Sequence, residues 1–206
     1  MNDLVAQIGL IAVWGVAYVA YIAVHEAGHY VAARLLGVPA GQVELRLFPR
    51  GQGLLSFGGY VGPVVRYNGT DGGDDATGES GPRSHRDPAG VPWRDTRWAW
   101  FTARDWYVLG AAGYAGTVVV LLALLTIAEA ASGWVAAWAG WGAGFFAIAM
   151  LIGFAIEGLV ILRPVDAGSP GKPDIAQLWA VNRAVTAALG LAVVLIAVAT
   201  LVRVAG

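Results

Sequence analysis

The sequence predicts an all-α membrane protein with about four transmembrane helices and a small β-hairpin at the membrane edge after the first of them. Three observations lead there. Hydrophobic residues make up 57% of the 206-residue chain and charged residues only 13%, a balance foreign to ordinary soluble domains. The apolar residues are bunched into four runs, Leu4–Val24, Tyr107–Ala128, Ala130–Ile156 and Ala184–Val202, each free of Asp, Glu, Lys and Arg. A bilayer core is roughly 30 Å thick and is crossed by about 20 helical residues, so each run reaches that length or nearly so. Finally, a short period-two segment separates the first run from the rest.

The first span is expected over residues 4–36. Only Asp3 precedes it in place of a basic leader region, and no small-residue cleavage signal ends it, so it reads as a structural helix and not as a secretory leader. Its pattern continues through His25 to Leu36, where Gly37 and Pro39 supply a helix stop. Val43, Leu45 and Leu47 then alternate with Glu44, Arg46 and Phe48. The turn signal Pro49–Gly53 and the segment Leu54–Phe57 complete an expected hairpin that ends at Gly58-Gly59.

Residues 66–97 are expected to form a flexible loop, because Gly, Asp, Ser and Pro dominate and almost no large apolar side chain is present between Asn68 and Pro92. Trp93, Trp98, Trp100, Phe101 and Trp106 follow, mixed with Arg94, Arg97 and Arg104. Such a mixture marks a membrane interface. The remaining spans are expected near residues 107–128, 134–162 and 184–204, and the whole chain, 1–206, reads as one membrane-embedded domain.

Charge sets an expected orientation. Nine arginines from Arg34 to Arg104 lie at or after the end of the first span and before the second, and Arg163, Lys172 and Arg183 lie between the last two spans, leaving only Arg203 of thirteen basic residues on the other side. The positive-inside rule then places both termini outside and the long loop in the cytoplasm, in an integral protein of the cell membrane. A net charge of −1 gives no basis for binding nucleic acid, and the absence of cysteine excludes disulfides, thiolate ligands and cysteine nucleophiles.

Chemistry concentrates in His25-Glu26-Ala27-Gly28-His29, which contains two of the three histidines in the chain. Residues four apart lie on one helix face, about 6 Å apart along the axis, so both imidazoles can share one metal ion. Glu26 projects about 100° round the helix from His25, within reach of water at that metal. This is the HExxH arrangement: two nitrogen ligands and a carboxylate base. Zinc makes water acidic near neutral pH, and Glu26 is placed to accept the proton. Ionisable residues inside an apolar span are costly and usually functional. The structural alternative is a polar cluster that only packs helices.

The segment His25–Val38 resembles the first core helix of the site-2 protease family of intramembrane zinc metalloproteases. Leu45-Arg46-Leu47-Phe48-Pro49-Arg50 and Gly58-Gly59-Tyr60-Val61 are similar to that family's membrane-edge β-element, and Ala111–Gly116 resembles the small-residue opening of its second core helix. Leu162-Arg163-Pro164 looks like its Leu-x-Pro. The resemblance implies a zinc endopeptidase acting on transmembrane protein substrates, with His25 and His29 as ligands, Glu26 as base and an aspartate as third ligand. Two aspartates compete for that role. Asp174, before Ile-Ala-Gln-Leu, is preferred; Asp166, after Pro-Val, is the alternative, and Glu157 stands behind both.

The chain departs from the family pattern at three points. Ile161 and Thr117 stand where the family has asparagines thought to hold substrate backbone, and neither Asp166 nor Asp174 is followed by Gly. These departures leave an inactive, metal-binding or regulatory relative as the second reading. A metal transporter fits less well, because the second and fourth runs contain no acid or histidine to line a path.

Overall fold

Four long helices and one small sheet are observed. In chain order these are α1 (Asn2–Leu35), β1 (Val43–Arg46), β2 (Tyr60–Pro63), α2 (Ala103–Ala130), α3 (Gly133–Ile161) and α4 (Arg183–Ala205). The structure, a computed structural model, describes residues 2–47, 60–63, 96–161, 178–179 and 182–206. Each helix is long and apolar enough to cross a membrane, over Gln7–Leu35, Ala103–Ala130, Gly133–Ile156 and Arg183–Ala205. The protein is an all-α polytopic membrane protein, as the four apolar runs require.

Local chemistry fixes the helix ends. Gly37 sits at φ +86°, the left-handed conformation that glycine adopts without penalty. Its N–H donates to the Arg34 carbonyl at 3.1 Å and the Val38 N–H to the Ala33 carbonyl at 3.0 Å, which is the Schellman termination of α1. Helix α2 opens on a capping box: the Thr102 hydroxyl oxygen accepts from the Asp105 N–H, and the Asp105 carboxylate accepts from the Thr102 N–H at 2.8 Å. Asn182 caps α4 through the Val185 N–H at 3.1 Å.

The helices pack in sequence, α1 on α2, α2 on α3 and α3 on α4, and α1 also touches α3. Glycines bring α1 and α2 together. A Cβ built on Gly28 would overlap the Ala112 carbonyl, and one on Gly116 would lie 3.2 Å from both Gly28 Cα and the Val24 carbonyl oxygen. Close backbone approach through small residues is how helices associate where no hydrophobic driving force operates between them.

Two apolar clusters result. The larger joins Tyr21 and Ile22 of α1, Tyr114 and Leu121 of α2, Phe145, Phe146 and Met150 of α3, and Val193 and Ala197 of α4. The smaller lies at the C-terminal end of α1 and gathers Ala32, Ala33, Val38, Val43, Trp98 and Leu109. The segment His25–His29 falls between them along α1.

Strand β1 pairs antiparallel with β2, Val43 opposite Pro63 and Arg46 opposite Tyr60. Strand β1 falls within the segment read as the first strand of the expected hairpin. Tyr60 and Val61, good strand formers, lie just beyond the Gly58-Gly59 pair that sequence reading took as the hairpin's end, and Pro63, which has no N–H to donate, closes the ladder. The expected return strand Leu54–Phe57 lies outside the described residues.

The loop expected over 66–97 lies outside the described residues up to position 95. Its last two positions are packed: Thr96 is buried, and Arg97 begins a 3₁₀ turn over Arg97–Trp100. Arg97 donates from Nε to the Leu36 carbonyl at 3.0 Å and lies over the Phe101 ring. Trp98, expected as an interfacial anchor, is instead 2% exposed, with its indole N–H donating to the Gln42 carbonyl at 2.7 Å. Those bonds tie the start of α2 to the chain leaving α1 and so fix the register of the α1–α2 contact.

Candidate metal centre

His25, Glu26 and His29 are all buried, none more than 9% exposed. Each offers one ligand atom, and those atoms lie within 4.8 Å of one another, close enough to hold a metal ion. The two imidazole centroids are 4.8 Å apart with the rings nearly perpendicular at 78°. Helical spacing accounts for the pair, since positions 25 and 29 share a face of α1 and both side chains lean back along it.

Helix α2 forms the opposite wall through three residues on one side. The Leu109 carbonyl accepts from His29 Nδ1 at 2.7 Å. A carbonyl can only accept, so the Nδ1 atom carries the proton and the neutral ring keeps its lone pair on Nε2, the tautomer a metal ligand needs. One turn on, Gly113 faces both rings: a Cβ there would overlap Nε2 of His29 and lie 2.5 Å from Nε2 of His25. Both Nε2 atoms therefore lie against Gly113, a close approach that only a residue without a side chain allows. Next to it, the Tyr114 ring meets His25 edge-on at 5.1 Å, while Tyr21 stacks on the other side of His25 at 6.2 Å.

The donor set fits a divalent ion of the zinc class: two imidazole nitrogens converging, a carboxylate beside them and an anchored tautomer. Burying a carboxylate and two imidazoles inside an apolar span carries a large desolvation cost, which a bound cation would offset.

The remaining candidates are placed as follows. Glu157 lies in the last turns of α3. Asp166 and Asp174 lie outside the described residues. Thr117, at the position of a family asparagine, is completely buried and donates its hydroxyl to the Gly113 carbonyl at 3.1 Å. Gly28, within the pentad, is closed against α2 by the Ala112 carbonyl. Sequence reading missed the Leu109 carbonyl and the role of Gly113. No side-chain signal marks a carbonyl acceptor, whereas the small-residue stretch Ala111–Gly116 did mark the close approach without revealing what it faces.

Comparisons with protein-family models, with curated proteins and with solved structures find no match to this chain. The geometry above therefore stands on its own.

Proposed function

We propose that this protein is an intramembrane zinc endopeptidase that hydrolyses peptide bonds within transmembrane segments of other membrane proteins. One observation carries the reading: His25, Glu26 and His29 are buried together on a helix apolar enough to cross a membrane, with both Nε2 atoms against Gly113. The site-2 protease resemblance of His25–Val38 supports it independently.

His25 and His29 would hold the ion, with Asp174, or in its place Asp166, as the third ligand. When bound, zinc supplies Lewis acidity that brings the ionisation of water close to neutral pH and polarises a carbonyl. Glu26 accepts a proton on a carboxylate oxygen and returns it to the departing amine. The Leu109 carbonyl keeps the His29 proton on Nδ1, and Gly113 lets both imidazoles come close to α2. The peptide bonds of a substrate helix are sheltered by their own hydrogen bonds, so the helix must open first. Strand β1, paired on one side with β2, offers its other edge for pairing with the opened segment. In this reading both termini lie outside the cell, and the segment joining α1 to α2 lies in the cytoplasm with its seven arginines, flanked by Arg34 and Arg104 at the helix ends.

The test is cleavage of a tagged reporter transmembrane segment in liposomes by wild type and Glu26→Gln, with zinc content measured on both. Cleavage by wild type alone, with zinc kept by both, supports the proposal. Zinc on both and cleavage by neither, across several reporters, replaces it with the reading of a metal-binding regulatory protein. Zinc content of Asp174→Asn and Asp166→Asn separates the two candidates for third ligand.

A further inference from the structure

Helix α1 ends at Leu35 and α2 begins at Ala103, and around these two ends stand three arginines, Arg34, Arg97 and Arg104. Both membrane-crossing stretches stop here, so the arginines stand where a bilayer's hydrocarbon gives way to its headgroups.

Two of the three are held by backbone carbonyls. Arg97 bridges the helix ends: its Nε donates to the Leu36 carbonyl at 3.0 Å and its Nη1 to the Trp100 carbonyl at 3.3 Å. Arg34 donates from Nη1 to the Val38 carbonyl. A carbonyl carries only partial negative charge, so these bonds orient a guanidinium without cancelling it. A guanidinium has five N–H donors, of which Arg97 commits two and Arg34 one in these bonds. Among the described residues none of the three arginines forms an ion pair. The Asp105 carboxylate is within electrostatic reach of Arg97 and Arg104, but it is engaged in the cap of α2, accepting from the Thr102 N–H at 2.8 Å and hydroxyl at 2.9 Å. Positive charge is left in excess.

Apolar side chains flank it. Leu35 is 82% exposed and Trp100 70%. A free anion would satisfy the guanidiniums and leave both of these side chains in water. A phospholipid satisfies all of them, its phosphate against the arginines and its glycerol and first acyl carbons against Leu35 and Trp100.

We infer that this shared end of α1 and α2 is a seat for the phosphate of an anionic phospholipid. The planar guanidinium fork matches phosphate oxygens in pairs. Because Arg97 touches the chain leaving α1 and the turn that leads into α2, a phosphate bound there braces the same helix crossing that joins His29 to Leu109. The inference stands on the four spans and on these contacts, and not on the reaction proposed for the metal centre.

The test uses the full chain in detergent micelles, with binding of short-chain phosphatidylglycerol and phosphatidylcholine followed by native mass spectrometry. A basic residue at an anionic surface contributes about fivefold to affinity, so wild type is expected to hold phosphatidylglycerol at least about tenfold more tightly than phosphatidylcholine. Arg104→Gln removes no hydrogen bond among the described residues. It should weaken phosphatidylglycerol binding about fivefold, and Arg34→Gln with Arg104→Gln about 25-fold, with helix content unchanged by circular dichroism. Arg203→Gln, at the opposite end of the bundle and paired with Glu129, should leave the binding as it is. Equal affinity for the two lipids, or an equal loss in Arg203→Gln and Arg104→Gln, overturns the inference. Inorganic phosphate bound as tightly as phosphatidylglycerol would make this a free-phosphate site and overturn the lipid assignment.

Discussion

The His29 imidazole donates from Nδ1 to the Leu109 carbonyl at 2.7 Å, a bond between residues 80 positions apart that joins the metal-site helix to its neighbour. It makes the site a property of the α1–α2 crossing and not of the His25–His29 pentad alone. Both Nε2 atoms lie against Gly113, where a Cβ would overlap them. Gly113→Ala is therefore expected to weaken zinc binding by at least about 100-fold, the upper end of what disturbing a ligand's supporting residues does, with helix content unchanged. Metal titration alongside circular dichroism measures both. Zinc affinity equal to wild type in Gly113→Ala would show that metal binding does not need the two Nε2 atoms so close to that position.

Glu26 is buried beside the histidines but, in the proposed chemistry, moves a proton without being needed as a ligand. Glu26→Gln is expected to keep zinc within a few-fold of wild type while hydrolysis falls by about 10²–10⁴-fold, the range for losing a general base. His25→Ala and His29→Ala are expected to lose both. Loss of zinc from Glu26→Gln as complete as from the histidine variants would make Glu26 a ligand instead.

Much of this was legible in the sequence, for physical reasons that differ from element to element. The four spans were readable because a membrane-crossing helix needs about 20 apolar residues in a row, and no tertiary contact can hide that. The His25–His29 pair was readable because helical periodicity alone puts positions 25 and 29 on one face. The pairing of β1 with β2 was not foreseen, because strand registers are chosen by pairing, which a four-residue segment does not announce. Trp98 was misplaced because a tryptophan near a membrane has the same composition signature whether its N–H meets water or, as here, the Gln42 carbonyl. Gly113 was noticed only as a small residue, since what a glycine faces depends on the partner helix.

The α1–α2 crossing is predicted to be the least tolerant contact in the bundle. Gly28→Val would drive a side chain into the Ala112 backbone, which cannot rotate away. The expected cost is about 1–3 kcal/mol or more, as for overpacking elsewhere. Gly15→Val is the control, because nothing lies within 4 Å of a Cβ at that position on the same helix. Unfolding in mixed detergent micelles should separate the two variants clearly. Equal stability would mean that α1 and α2 are farther apart than these contacts require.

The opposite expectation holds at the far ends of α2 and α4. Arg203 and Glu129 form an ion pair at 2.9 Å, but their side chains are 69% and 56% exposed. An exposed pair is worth no more than about 1 kcal/mol and weakens with salt. Glu129→Gln is expected to shift detergent unfolding by less than that, and the shift should vanish at high ionic strength. A loss several times larger would show that the pair is shielded from water.

Metal removal ties these contacts together. A ligand that binds only the folded protein stabilises it by RT ln(1 + [L]/Kd), about 2.7 kcal/mol at a free concentration of 100 Kd. Adding zinc at that concentration to chelator-treated protein should raise its resistance to unfolding by about that amount. Glu26→Gln should show the same gain, because both histidines remain. His29→Ala should show almost none, since the variant loses one Nε2 and also the bond to Leu109. Stability that does not respond to zinc in the wild type, with helices intact, would mean that the cluster is a packing device and that the metal-dependent reading fails at its first step.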